Sequence, residues 1–342
     1  MKRFYLIILA LLIVQVFPPT FCTAEGLMAM SAPKSPRIKE TVKPHPISLQ
    51  AIMEKEFDGR NLKREKVLDD NKYYTRYYIT YMSGKYKISG IMNVPKGAGP
   101  FPVVILNHGY IDTRYYTTGR GLKREQDYLA RHGYVVLHPD YRNHAGSDKD
   151  PENDVNLRMG YLEDVINAVY AIKNSNYDFI DKENIGMLGH SLGGGICLGI
   201  MVAKPDLIKA YVLFAPINAD YRYNFERWIA KRRPDIAEKI VLKFGPPEKL
   251  RERYGSPKAN PEFWDNISPV NFLKNIRSPV MVHHGTKDDQ VPIEWSEELE
   301  QNFKKNGKEI IYYSYIGEPH EFIQAWPTVM KRTVDFFDKH LK

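Results

Sequence analysis

Residues 184–195 read Asn184-Ile185-Gly186-Met187-Leu188-Gly189-His190-Ser191-Leu192-Gly193-Gly194-Gly195, and this run decides the architecture. Asn184 to Leu188 is a short apolar stretch of the kind a buried strand needs, and from Leu192 the chain continues into an apolar segment of helical length. Between them lies Gly-x-Ser-x-Gly, residues 189–193. A strand-to-helix turn this sharp lifts a hydroxyl clear of a sheet only if the residues two before and two after the serine are too small to collide. The helix N-terminus beneath the turn supplies positive potential where an oxyanion would form. Five residues alone are a weak match. Bracketed by a buried strand and a Gly-started helix they are specific, and they mark Ser191 as a nucleophile.

Outward from that turn, apolar strands are expected at Val103–Leu106, Tyr134–His138, Ala210–Phe214, Pro279–His283 and Glu309–Tyr315. Amphipathic helices are expected at Leu122–Arg131, Leu157–Ile172 and Trp326–Lys339. Such alternation implies a mostly parallel sheet covered by helices on both faces, with the chemistry at the carboxyl ends of the strands. Further upstream Tyr73, Thr75, Tyr77, Ile79 and Tyr81 fall on one face of a strand, and Tyr86–Val94 forms its hairpin partner across Ser83-Gly84-Lys85. Strand packing accounts for these tyrosines better than a sugar-binding platform does.

A serine nucleophile needs a base, and the base needs an orienting carboxylate. In strand–Ser–helix enzymes the chain order is Ser, acid, His. Only His320 and His340 follow the candidate acids, and His340 sits in a polar helix tail. His320, in the loop after the last expected strand, is therefore the base. Asp288, in Asp-x-x-Val-Pro, is the acid, with Asp289 competing. His283 and His284 precede the acid and read as structural strand-end residues. The backbone N–H groups of Leu192 and Tyr110 are the expected oxyanion donors, since one donor follows the nucleophile and the other lies in the loop after the first parallel strand. His108 comes before the serine and is expected to brace that loop, while the Tyr110 hydroxyl lies where it could meet substrate.

His108-Gly109, Asp140-Tyr141-Arg142 with Gly146-Ser147-Asp148, Gly189 to Gly194, His284-Gly285-x-x-Asp288-x-x-Val291-Pro292 and Gly317-x-x-His320 occur in order. The set resembles the catalytic domain of prolyl-oligopeptidase-like peptidases and of dienelactone-hydrolase-like esterases, over about residues 80 to 340. The resemblance implies the α/β-hydrolase fold, a Ser191–Asp288–His320 triad and an acyl-enzyme. Prolyl oligopeptidases carry a β-propeller before this domain. Here at most about 75 residues precede it after residue 24, so the filter for short peptides is expected to be missing and a carboxylic ester is favoured over an amide or peptide. The alternatives are a serine peptidase lacking the propeller and an acyltransferase on the same triad.

About 60 residues separate the strand ending near Phe214 from the one starting at Val280, more than one crossover helix needs. Helical stretches around Tyr223–Arg233, Pro234–Lys243 and Pro247–Tyr254, with Trp228, Phe244 and Trp264, read as a helical cap at about 216–278 over Ser191. Arg227, Lys231, Arg232 and Arg233 at helical spacing read mainly as a solvated face.

Residues 1–24 read as a signal peptide: Lys2 and Arg3, then a greasy run from Phe4 to Phe17, then Cys22-Thr23-Ala24 before a cut at Glu25. A secreted or periplasmic protein follows if the segment is cut, with no stable membrane insertion. An uncut segment would anchor the chain to a membrane. Residues 25–46 read as a flexible linker and 47–342 as the hydrolase domain. Once Cys22 leaves, Cys197 stands alone as a packing residue. The formal charge of +8 falls to about +4 when residues 1–43 are set aside, and the bases are mixed with acids rather than striped, which argues against a nucleic-acid partner. No metal or cofactor is implied, because the histidines and carboxylates do not fall in zinc spacing.

Overall fold

The computed structural model describes residues 43–230 and 247–342. The segment read as a signal peptide, the expected linker up to residue 42, Lys231, Arg232, Arg233, the Pro234–Lys243 stretch and Phe244 lie outside the described residues.

Alternation along the central strands sorts apolar side chains onto two faces, and the helices follow from that sorting. In β4 (Phe101–Asn107) Val103 and Ile105 enter one core while Val104 and Leu106 enter the other. Likewise Tyr211 and Leu213 in β7 (Ala210–Phe214) part from Ala210 and Val212. The first core is closed by helices Gly160–Lys173 and Leu192–Ala203 through Leu162, Val165, Val169, Ile196 and Ile200. The second is closed by helices Lys123–Arg131 and Trp326–Leu341 through Leu129, Val329, Val334 and Phe337. The sheet is thus covered on both faces, as expected.

The sheet has nine strands in the order β1-β2-β3-β5-β4-β6-β7-β8-β9. The set is completed by β1 (Arg60–Asp70), β2 (Tyr74–Ser83), β3 (Tyr86–Pro95), β5 (Val135–Pro139), β6 (Ile180–His190), β8 (Val280–Gly285) and β9 (Ile311–Tyr315). β1, β2 and β3 pair antiparallel, β3 joins β5 antiparallel, and every pairing from β5 through β9 is parallel. The carboxyl ends of β4, β6 and β8 therefore open on the same edge of the sheet. This is the α/β-hydrolase fold.

Three features depart from the sequence reading. β1 was not expected: only Leu62 of its eleven residues is buried, it carries charges on both faces, and its pairing to β2 is broken by irregularities, as suits a protected edge strand. The helix expected from Leu157 starts at Gly160, because Leu157 and Arg158 are both held at positive φ. His45, placed in the linker, packs edge-on against Tyr254 and Phe263.

Between β7 and β8 the chain forms short helices at Tyr221–Phe225, Pro247–Tyr254 and Pro261–Ile267, a wide turn at Glu226–Ala230 and a tight one at Pro269–Asn275. Phe225, Leu250, Tyr254, Phe263, Trp264 and Ile267 gather with Leu157 into a small third core. Among the described residues no helix is long and apolar enough to cross a membrane.

Candidate active site

Ser191 follows the last residue of β6 at φ 56° and ψ −117°, a backbone state that a residue with a side chain adopts only when its surroundings impose it. They do. Its N–H donates to the Phe214 carbonyl at 2.9 Å, and its own carbonyl accepts from Gly194, Gly195 and Ile217 at 2.9, 3.2 and 3.2 Å. The glycines are required by contact: a Cβ on Gly189 would lie 2.3 Å from the Gly193 carbonyl oxygen, and one on Gly193 would lie 1.9 Å from that of Asn107. The second clash shows that Gly193 also lets the β4 loop approach.

That loop passes beside Ser191, since a Cβ on Gly109 would sit 3.2 Å from the Ser191 Cβ. His108 holds it: Nδ1 lies 2.7 Å from the Gly109 carbonyl oxygen, and the ring stacks on Tyr141 at 4.2 Å. Burial pushes the His108 ring down to about 4, so at neutral pH it is an uncharged brace. Cys197 is buried beneath, with Asn107 Nδ2 donating to its Sγ at 3.3 Å, and burial pushes its thiol up to about 12.

His320 Nδ1 lies 2.6 Å from Asp288 Oδ2, and both side chains are almost fully buried. Gly285 permits this approach, because a Cβ there would meet the Glu318 carbonyl oxygen at 2.2 Å. The other oxygen of Asp288 accepts from the Gln290 and Val291 amides at 2.9 and 2.8 Å. Burial alone would raise the Asp288 carboxyl, but hydrogen bonds from His284 and His320, the nearby His320 ring and the Val291 amide outweigh it and hold the group well below the usual carboxylate range. An ionised Asp288 accepts only, so the His320 Nδ1 carries the proton and Nε2 is left as the basic nitrogen. The competing Asp289 is exposed.

Ser191, His320, Tyr110 and Leu192 all line one cavity of about 250 Å³. Ser191 Oγ has no hydrogen bond among the described residues, as is common before substrate draws such groups together. The Leu192 amide opens its helix, where first-turn N–H groups lack intrahelical partners. Trp228 and Trp264 also line the cavity, with the Phe225 ring tilted against Trp264 at 4.7 Å. Among the described residues no group of His, Cys, Asp and Glu converges as metal ligands do.

Three residues escaped the sequence reading. His284 Nε2 reaches Asp288 Oδ2 at 3.1 Å and its Nδ1 reaches Ser296 Oγ at 2.7 Å, so it steadies the acid. His190 Nε2 donates to the His320 carbonyl at 3.1 Å. Burial, with the nearby His320 ring, pushes His190 down to about 3. Glu318 accepts the Ala325 amide at 3.0 Å and so shapes the His320 loop. The adjacency of His283-His284 to the acid was a signal for His284, but nothing in spacing alone points to the others.

Known proteins resemble the chain. The alpha/beta hydrolase fold family matches residues 102–254 and the prolyl oligopeptidase family residues 244–342. The chain is 29% identical over 262 residues to the uncharacterized peptidase YuxL of Bacillus subtilis, covering 72% of this chain and 36% of that one. It is 26% identical over 220 residues to the esterase EstD of Thermotoga maritima, covering 60% of this chain and 50% of the relative. The chain thus spans a third to a half of these relatives. The acylaminoacyl peptidase of Pyrococcus horikoshii superposes with a TM-score of 0.61 at 22% identity, over 79% of this chain and 42% of that one. With the fold, these matches show a chain of the α/β-hydrolase fold that is similar to known peptidases and esterases.

Proposed function

We propose that the chain hydrolyses carboxylic esters by two-step acyl transfer, with Ser191 as nucleophile, His320 as general base and then acid, and Asp288 as the orienting carboxylate. The observation that carries this is the buried His320–Asp288 pair at 2.6 Å sharing a cavity edge with a serine on a strained turn. His320 Nε2 takes the Ser191 proton as Oγ attacks the carbonyl carbon. The Tyr110 and Leu192 amides hold the oxyanion, His320 protonates the leaving alcohol, and water activated by His320 cleaves the acyl-enzyme. The segment between β7 and β8 acts as a cap whose aromatic wall receives a compact apolar group, which favours a small ester. The peptidase likeness supports amide cleavage as the second reading.

We further propose that residues 1–24 direct export and are removed. N-terminal sequencing of protein from the host that begins at Glu25 supports this, and an intact Met1 opposes it. The activity is tested by giving the chain and its Ser191→Ala variant a short-chain p-nitrophenyl ester and a fluorogenic peptide series. Fast ester cleavage, slow peptide cleavage and an inert variant are expected. Faster peptide cleavage would assign the amide reading, and a fully active variant would remove Ser191 from the chemistry.

A further inference from the structure

The cavity beside Ser191 contains a buried cation that the proposed chemistry does not use. Arg158 is 7% exposed and lines the cavity, whereas Glu321, the other fully charged group lining it among the described residues, is exposed. Its Nε donates to Asp154 Oδ1 at 2.8 Å, and the guanidinium carbon lies 4.7 Å from the centre of the Tyr110 ring. The Asp154 side chain is 41% exposed and does not line the cavity. Burying a guanidinium against apolar walls is costly. The backbone adds to that cost. Leu157 and Arg158 stand consecutively at φ 53° and 61°, and neither is glycine. Leu157 is anchored in the third core and the Arg158 N–H donates to the Asn153 carbonyl at 2.8 Å, so the strain is imposed and turns Arg158 toward the cavity. Two arginines also stand beside residues that line the cavity: Arg227 donates to the Gln290 carbonyl at 2.9 Å, and the Arg251 guanidinium carbon is 5.8 Å from the centre of the Phe225 ring.

A guanidinium offers a planar fork of donors matched to a carboxylate. We infer that Arg158 selects substrates bearing a second carboxylate, joined by a short linker to an apolar group that Phe225 and Trp264 receive. The inference rests on Ser191 marking the reacting carbonyl. The carboxylate can belong to a small diacid or hydroxy-acid ester, or to the C-terminus of a peptide.

The test is calorimetric binding to the full chain carrying Ser191→Ala, which needs no turnover. The probes are monobenzyl succinate, phenylacetoxyacetate and phenylacetylglycine, each paired with its methyl- or amide-capped neutral twin. At least one acid is expected to bind ten-fold or more tighter than its twin. An ester leading identifies a small ester as the source, and phenylacetylglycine leading identifies a peptide end. With Arg158→Gln the acid-to-twin ratio should fall close to one. Asp154→Asn, at an exposed position, should raise it about three-fold by unmasking the cation. Equal binding of all acids and twins overturns the proposal, and so does a preference that survives Arg158→Gln. If Ser191 proves not to be the nucleophile, the ester assay shows it while this binding readout stands.

Discussion

The loops at the carboxyl ends of the strands and the helical segment between β7 and β8 wall the same cavity under opposite rules. The strand and helix ends that carry the loops are packed to backbone contact: Gly189, Gly193 and Gly285 each leave less than 2.4 Å for an added Cβ. They also hold buried histidines, among them His190 and His284, which meet His320 directly or through Asp288. The segment at 216–278 contains no histidine. It has a small core of its own, rich in aromatic rings, with arginines at its rim. Reaction geometry is thus specified where no side chain can be exchanged, and the shape of the pocket where side chains can be repacked.

If that division holds, the largest effects come from the loops. Asp288→Asn should lower kcat by ~10³–10⁴-fold by favouring the wrong His320 tautomer. Asp289→Asn, at an exposed position, should stay within about three-fold in the same ester assay. Equal losses in the two would blur the assignment of the acid.

In the cap, Phe225→Ala should move the acyl-chain preference toward longer esters by roughly 10–200-fold in kcat/KM ratio. It should also cost about 3–5 kcal/mol of stability, read from denaturant unfolding. An unchanged chain-length profile would show that the cap does not shape the pocket.

The smallest effect concerns acid. His108 and His190 sit at about 4 and about 3 in the fold, below the ordinary 6.5. The unfolded chain therefore binds more protons over that interval. The stability these residues contribute is complete above pH ~6.5 and is lost as pH falls. His190→Gln keeps a donor for the His320 carbonyl and removes one such group. It should be more stable than the parent at pH 4.5 by on the order of 1–2 kcal/mol, with the difference vanishing near pH 7.5. A difference independent of pH would show that His190 acts only by packing.

The same division explains what was legible beforehand. Ser191, Asp288 and His320 stand in motifs whose glycines mark backbone contacts, and each lies beside a strand with a clear apolar run. The parallel sheet was readable for the same reason. β1 was not, since an edge strand with Arg60, Lys63, Arg64, Glu65 and Lys66 facing water has no apolar period to betray it. The turn at Leu157 and Arg158 was read as helix because its side chains keep helical spacing while the backbone does not. His190 acts through a contact with the distant His320 loop, which sequence spacing does not display.

The most direct test is covalent labelling of the full chain with a fluorophosphonate, followed by peptide mass mapping. One equivalent of adduct on Ser191, with parallel loss of ester hydrolysis, is the result expected. Hydrolysis that persists without an adduct, or an adduct on another residue, would contradict the assignment of Ser191 as nucleophile.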